Sequence, residues 1–189
     1  MKSMTSDNKI TQHFRFHIVG SCGSGKSSLA EAIAKKLDIP HIQLDAFHHT
    51  DNWGVNSDEK FFELLLKNDL DGSWVADGNY SKSWDTLWKD REVTVIWIDL
   101  PFSTTFSQLL QRTFRRISNN EKLWGTSLTE SISKTFCSKD SIILWLITTY
   151  HKNKKKFSDL INSSKYECVN FVHLRSRSEI SHFLQNLGL

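Results

Sequence analysis

Apolar and polar positions along the chain follow two rhythms, short β-rich runs and stretches with helical spacing. "FRFHIVG" (Phe14 to Gly20) alternates and is rich in β-formers, which predicts a first strand. In the following "KSSLAEAIAKKLDI", Leu29, Ile33 and Leu37 recur at helical spacing. "HIQLD" (His41 to Asp45) reads as a short second strand that ends in a carboxylate. From Ser57, "SDEKFFELLLKNDL" offers a capping serine, an acidic first turn and one apolar face, so a helix is expected. "SWVADG" after Gly72 is a third strand. "VTVIWIDLP" (Val93 to Pro101) is a nearly continuous apolar run, as a strand buried on both faces should be.

Ser103 is the expected cap of the amphipathic "STTFSQLLQRTFRRI", and a polar stretch follows from Ser118 to about Ser127. Lys139 to about Asn162 reads as a long helix with "IILWLI" (Ile142 to Ile147) as its buried side and a basic far end, "HKNKKKF". "ECVNFVHL" (Glu167 to Leu174) is a fifth strand. Ser176 and Glu179 form a capping box that opens "EISHFLQNL". Strands that alternate with helices predict an α/β fold with a parallel sheet wrapped on both sides. Such sheets bind ligands at the carboxyl ends of their strands, where Asp45, Asp77 and Asp99 all fall.

Chemistry enters with "GSCGSGKSS", between the first strand and the first helix. Gly20, Gly25, Lys26 and Ser27 fit G-x-x-x-x-G-K-[ST], the Walker A pattern, in its required strand–loop–helix setting. Glycines let successive backbone N–H groups turn inward as an anion nest, and the helix beginning near Lys26 adds its positive end. The loop, Gly20, Ser21, Cys22, Gly23, Ser24, Gly25, Lys26, Ser27 and Ser28, is therefore expected to cradle phosphates. In this pattern the lysine reaches the β- and γ-phosphates and the serine hydroxyl, Ser27, ligates Mg²⁺.

Composition changes this picture little. The 189 residues predict a polar tail over 1–12 and one domain over 13–189, with a short lid at about 118–135. A net charge of +3 is mild and does not argue for nucleic acid; the "HKNKKK" run reads as a solvated helix end. Cys22, Cys137 and Cys168 are odd in number and lack disulfide-framework or metal-type spacing, which suits a reducing compartment. No apolar h-region or membrane-length run is present, so a cytoplasmic protein is expected. Oligomeric state is not legible.

The "GSCGSGK" loop, five strands and a "DG" at the third strand's end resemble the adenylate-kinase-like branch of P-loop proteins. That branch includes nucleoside monophosphate, shikimate and gluconate kinases. More narrowly, "HIQLDAFHH…W", "WVADGNY", "WIDLP", "RTFRR" and "EKLWG" look like a group described as topology-modulation or adenylate-kinase-like proteins, from about Phe14 to Phe183. The resemblance implies a three-layer P-loop NTPase fold with a five-stranded sheet of order 2-3-1-4-5. It implies ATP as phosphate donor with Mg²⁺, held by Ser27 and by Asp77 as a Walker B carboxylate. Asp77 also reads as a turn-former, the weaker alternative. Asp45 is implied as the contact to an acceptor hydroxyl, against the plainer reading of a helix cap. Phe47, His48, His49 and Trp53 stand nearby in sequence. Arg112 and Arg116, one helical turn apart, are implied to face the phosphates rather than form a solvated basic face. Arg115 could serve either way. Arg175, just past the fifth strand, is where this branch lays the adenine.

Two departures shape the expectation. "DGNYSKSW" stands where nucleoside monophosphate kinases have D-G-[FY]-P-R, so Asn79, Tyr80 and Lys82 replace the arginine that grips an acceptor phosphate. "EKLWGTSLTES" keeps Leu123, Trp124 and Gly125 but lacks a lid arginine, leaving Lys122 as a point charge. The expected activity is transfer of the γ-phosphate of ATP to a small acceptor of nucleoside or nucleotide type. The alternative is a nucleotide-binding regulator or weak ATPase with no such acceptor.

Overall fold

The computed structural model describes residues 13–50, 54–123, 128–129, 141–162, 165–166 and 168–188. Five parallel strands, β1 (Arg15–Gly20), β2 (His41–Gln43), β3 (Trp74–Asp77), β4 (Val93–Ile98) and β5 (Val169–Leu174), form one sheet in the order β2-β3-β1-β4-β5. This is the α/β fold and strand order expected from the sequence. The central strand β1 carries the phosphate loop at its carboxyl end, flanked by β3 and β4.

Helices cover both faces. On one, Leu29, Ala30 and Ile33 of α1 (Lys26–Leu37) and Phe183 and Leu184 of α7 (Arg177–Asn186) pack on Ile18, Val75, Ile96 and Ile98, an aliphatic layer. The other layer is aromatic. Phe61 of α3 (Asp58–Leu65), Trp84 and Trp88 of α4 (Trp84–Trp88) and Phe157 of α6 (Ile142–Ile161) pack there with Trp74 and Trp97. Lys36 of α1 donates to the carbonyls of Leu184 and Gln185, which satisfies open groups at the end of α7.

A histidine lies in the middle of this core. His17 on β1 is fully buried, with Nε2 2.9 Å from the Gly78 carbonyl and Nδ1 accepting from Trp88 Nε1 at 2.9 Å. An indole N–H can only donate, so Nδ1 must be the bare nitrogen and Nε2 the protonated one. Burial holds the ring neutral, lowering its pKa from 6.5 to about 4.

Several local expectations are corrected. β2 ends at Gln43, and Asp45 sits in the first turn of a short helix, α2 (Leu44–His48), instead of at a strand end. Leu44 is fully buried and comes close to Gly78, where an added Cβ would lie 2.9 Å from that of Leu44. The missing Cβ lets the chain turn into α2 there. α4 was not foreseen in "WDTLW" either; two stacked tryptophans, Trp84 and Trp88 (4.8 Å), draw it into the core. α5 (Phe102–Ser118) starts directly after Pro101 and not from a Ser103 cap. Proline's fixed φ suits that entry. In α6, capped by Ser141, Leu146 and Tyr150 face Leu109 of α5. Leu144, Trp145 and Ile147 point away, at 46%, 60% and 51% exposure, so "IILWLI" is buried along one edge only. Glu179 accepts from the Arg175 N–H and not that of Ser176, although Ser176 Oγ does accept from Glu179 N–H.

The tail over 1–12, Trp53, Trp124, Gly125 and Cys137 lie outside the described residues, as does most of the expected lid. Of that lid, Lys122 and Thr129 form an antiparallel bridge. Among the described residues no helix is long and apolar enough to cross a membrane.

Candidate active site

The loop from Gly20 to Ser28 leaves β1 and enters α1 at Lys26. Gly23 has a left-handed φ of 82°, and a Cβ there would lie 2.7 Å from the Thr105 carbonyl and 2.8 Å from Leu109 Cβ. Only glycine lets α5 pack this tightly over the loop. Lys26 Nζ donates to the Ser21 carbonyl at 3.0 Å, bending back across the loop it serves. Ser24 Oγ is buried with no hydrogen-bond partner among the described residues. A buried hydroxyl left over in a glycine-rich loop at a helix start is what an incoming phosphate oxygen would satisfy. Ser28 is exposed in the first turn of α1.

Beside the loop, Ser27 Oγ donates to Asp77 Oδ2 at 2.6 Å. The other oxygen, Oδ1, lies 2.8 Å from His41 Nε2. Asp77 is buried at the end of β3. Burial opposes its charge, but the bonds from His41 and Ser27 and the nearby Lys26 charge outweigh it and hold its pKa below the usual value. An ionised carboxylate next to the loop serine is a donor set that suits a hard cation, and Ser27 and Asp77 fit Mg²⁺ in chemistry.

Asn79 locks the start of the loop. Its Oδ1 accepts from Gly20 N–H at 3.1 Å and its Nδ2 donates to the Gly20 carbonyl at 2.7 Å. One side chain thus ties the ends of β3 and β1 together.

A second cluster lies across β3. Tyr80 O–H donates to Asp45 Oδ1 at 2.7 Å. Burial, followed by the Asp45 charge, pushes the Tyr80 hydroxyl pKa up, so the phenol keeps its proton and remains a donor. The Tyr80 ring lies 4.8 Å from that of His48 and 5.5 Å from that of Phe61. Lys82 is paired with Asp58 at 2.6 Å and sits 4.1 Å over the Phe61 ring.

The expected arginines divide. Arg112 Nη2 lies 3.8 Å from Cys22 Sγ, so its guanidinium reaches the phosphate loop. Arg116, mostly buried, lies 3.7 Å from Glu121, which Arg115 also approaches while staying exposed. Arg175 turns toward His173 Nδ1 at 3.3 Å, and its backbone N–H is held by Glu179. His173 stacks on Trp97 and meets the buried Asp99, which also pairs with Lys154. Arg175 and Asp99 therefore belong to a cleft of about 950 Å³ between α6 and the β4–β5 edge, together with Lys154, rather than to the Asp77 cluster.

Sequence reasoning grouped the loop, Ser27, Asp77, Asp45 and Arg112; in the fold Ser27 is bonded to Asp77 at the end of β3, Arg112 reaches the loop from α5, and Asp45 stands on α2, held by Tyr80. It missed His41 on Asp77 and the Asn79 lock, and it did not foresee that Tyr80 holds Asp45. "DGNY" was the available signal, since two polar side chains after a buried strand end call for partners.

No family model matches the chain. Among curated proteins, the uncharacterized protein YqaC of Bacillus subtilis (strain 168) is 31% identical over 122 residues, which span 64% of this chain and 67% of the relative. The shikimate kinase of Bacteroides thetaiotaomicron superposes over 92% of this chain and 95% of its own, with a TM-score of 0.50 at 17% identity. A gluconokinase from Sinorhizobium meliloti 1021 covers 93% and 97%, with a TM-score of 0.48 at 15% identity. The likeness to shikimate kinase and the strand order together show a P-loop kinase-like fold.

Proposed function

The chain belongs to the same family as the uncharacterized protein YqaC, and we propose that it is an ATP-dependent phosphotransferase acting on a small acceptor of nucleoside or nucleotide type. The observation that carries this reading is the presence of two carboxylates in different settings, one at the end of β3 and one on the short helix after β2. Asp77 is bonded to the loop serine, and Asp45 stands apart on α2, held by Tyr80. A protein that only bound or hydrolysed ATP would need the first and not the second.

In this reading the loop from Gly20 to Ser28 holds the triphosphate, and Lys26 swings from the Ser21 carbonyl to the β- and γ-phosphates. Ser27 and Asp77 would hold Mg²⁺, which supplies charge neutralisation on the phosphates when bound. Arg112 reaches the loop from α5 and faces the charge that builds during transfer, with Arg116 one turn behind it. Arg175 borders the base end of the site. Asp45 accepts the acceptor's hydroxyl proton as that oxygen bonds to the γ-phosphorus. The bond from phosphorus to the β–γ bridging oxygen breaks, and ADP leaves.

Asp45→Asn tests the reading. It is expected to leave the thermal stabilisation by Mg²⁺-ATP intact while lowering acceptor-dependent ADP release by about 10²- to 10⁴-fold. Unchanged ADP release in that variant would return the protein to the alternative, a nucleotide-binding regulator or weak ATPase.

A further inference from the structure

His48 has no part in the reaction just described, yet it occupies a telling position. Asp45 and His48 are three residues apart on α2 and share one face of it. The His48 ring lies against Tyr80, the residue that holds Asp45. Its Nδ1 is buried and has no hydrogen-bond partner among the described residues. A buried polar nitrogen without a partner is costly, and in a native protein it asks for a ligand or a water.

The charges around it limit what that ligand can be. His48 faces His49, Lys82, Asp45 and Asp58. Lys82 is already paired with Asp58 and sits over the Phe61 ring, so an anion would have to compete for it. Burial keeps the imidazole pKa below its ordinary value, so the ring is neutral near pH 7. A phosphate or carboxylate on the acceptor would meet the Asp45 carboxylate, a neutral His48 ring and a lysine already paired with Asp58. A hydroxyl would meet a good partner in Asp45 and in His48.

We infer that His48 selects the acceptor: its Nδ1 takes a second hydroxyl of an uncharged, hydroxyl-rich compound of nucleoside or sugar type, whose reacting hydroxyl lies on Asp45. This rests on the phosphotransferase reading and changes its acceptor: the charged nucleotide is excluded, and an uncharged sugar is admitted beside the nucleoside. His48 is a specificity residue here and not a catalytic one, since Asp45 takes the proton.

The test combines thermal unfolding and ADP release at saturating Mg²⁺-ATP. The uncharged probes are adenosine, uridine, D-ribose and myo-inositol. Their counterparts are 2′- and 3′-deoxyadenosine, uridine 5′-monophosphate, ribose 5-phosphate, shikimate and D-gluconate. An uncharged probe is expected to add to the ATP shift and to be phosphorylated, with a deoxy or anionic counterpart about tenfold or more poorer in kcat/KM. His48→Phe keeps a ring on Tyr80 and deletes Nδ1. It is expected to raise KM for the uncharged acceptor about tenfold, more than it lowers kcat, and to narrow the gap to the deoxy compound. His48→Asn returns a polar atom near the Nδ1 position and should recover much of the loss.

A charged compound as best acceptor overturns the inference, and so does a failure of every uncharged probe to add to the ATP shift. Full activity in His48→Phe with damage in His48→Asn would assign His48 to ring packing alone and equally sink the idea. The phosphotransferase reading fails by a different result, ADP release that Asp45→Asn leaves untouched.

Discussion

The phosphate loop after β1 and the Asp45–Tyr80–His48 cluster after β2 and β3 stand on one sheet, but they are assembled differently. The loop is a single run of nine residues, from the end of β1 into the start of α1, whose own backbone would do the holding in the proposed function. The cluster is gathered from two separated segments. Asp45 and His48 come from α2, and Tyr80 comes from the turn after β3, 35 residues from Asp45. Anion binding by backbone needs only a local conformation, whereas reading an acceptor needs side chains from several directions. The first is compact in sequence, though Asn79 and α5 brace it; the second depends on the core beneath it.

The largest effect should separate the two ends outright. Lys26→Ala is expected to lower ATP-dependent turnover by about a thousandfold. It should also remove the stabilisation by Mg²⁺-ATP, about 2.7 kcal/mol at a hundredfold excess over Kd. Thermal unfolding with and without Mg²⁺-ATP checks this, and a retained shift would break the assignment of the phosphate end.

Next is the core on which both ends rest. His17 is neutral when folded, with a pKa of about 4 against an ordinary 6.5. Between those values the unfolded chain binds a proton that the folded chain refuses. Stability from this source is therefore full above pH 6.5 and falls as pH drops toward 4, by about 3 kcal/mol in all. Urea unfolding across that window should show the slope, and His17→Phe should flatten it while lowering stability throughout, because Trp88 Nε1 and the Gly78 carbonyl lose their partner. A wild-type protein with no slope in the window would show that the ring is not held neutral.

The smallest effects sharpen the contrast. Asn79→Ala deletes both bonds to Gly20, and a loss of about 2 kcal/mol is expected together with weaker ATP binding. Tyr80→Phe deletes one bond to a carboxylate, and about 1.5 kcal/mol is expected, with lower acceptor turnover and an unaltered ATP shift. Equal damage to ATP binding by both variants would mean that the two ends are not separable.

Much was legible in the chain because it is local. The loop motif, the β-rich runs and the long helical periods led to five strands, with Asp77 at the end of one of them, while their order came from the family resemblance and not from any local pattern. Hydrophobic period and turn chemistry act over a few residues, so they are written where they act. Boundaries set by packing were not legible in the same way. Asp45 moved from a strand end into α2 because Leu44 is drawn into the core beside Gly78, and "WDTLW" became α4 because Trp88 had His17 to meet, 71 residues away. "IILWLI" looked like a buried stripe, yet α6 presents only Leu146 and its neighbours along one edge to α5.

What the sequence determined by itself is the phosphate end, since a nest of backbone N–H groups needs only glycines, a lysine and a serine at fixed spacing. Only the tertiary structure decided which side chain stands beside which across the sheet. That contact set Tyr80 on Asp45, His41 on Asp77, Asn79 on Gly20 and His48 over Tyr80. A hydrogen bond between distant residues depends on strand order and register, and no local run of residues carries that information.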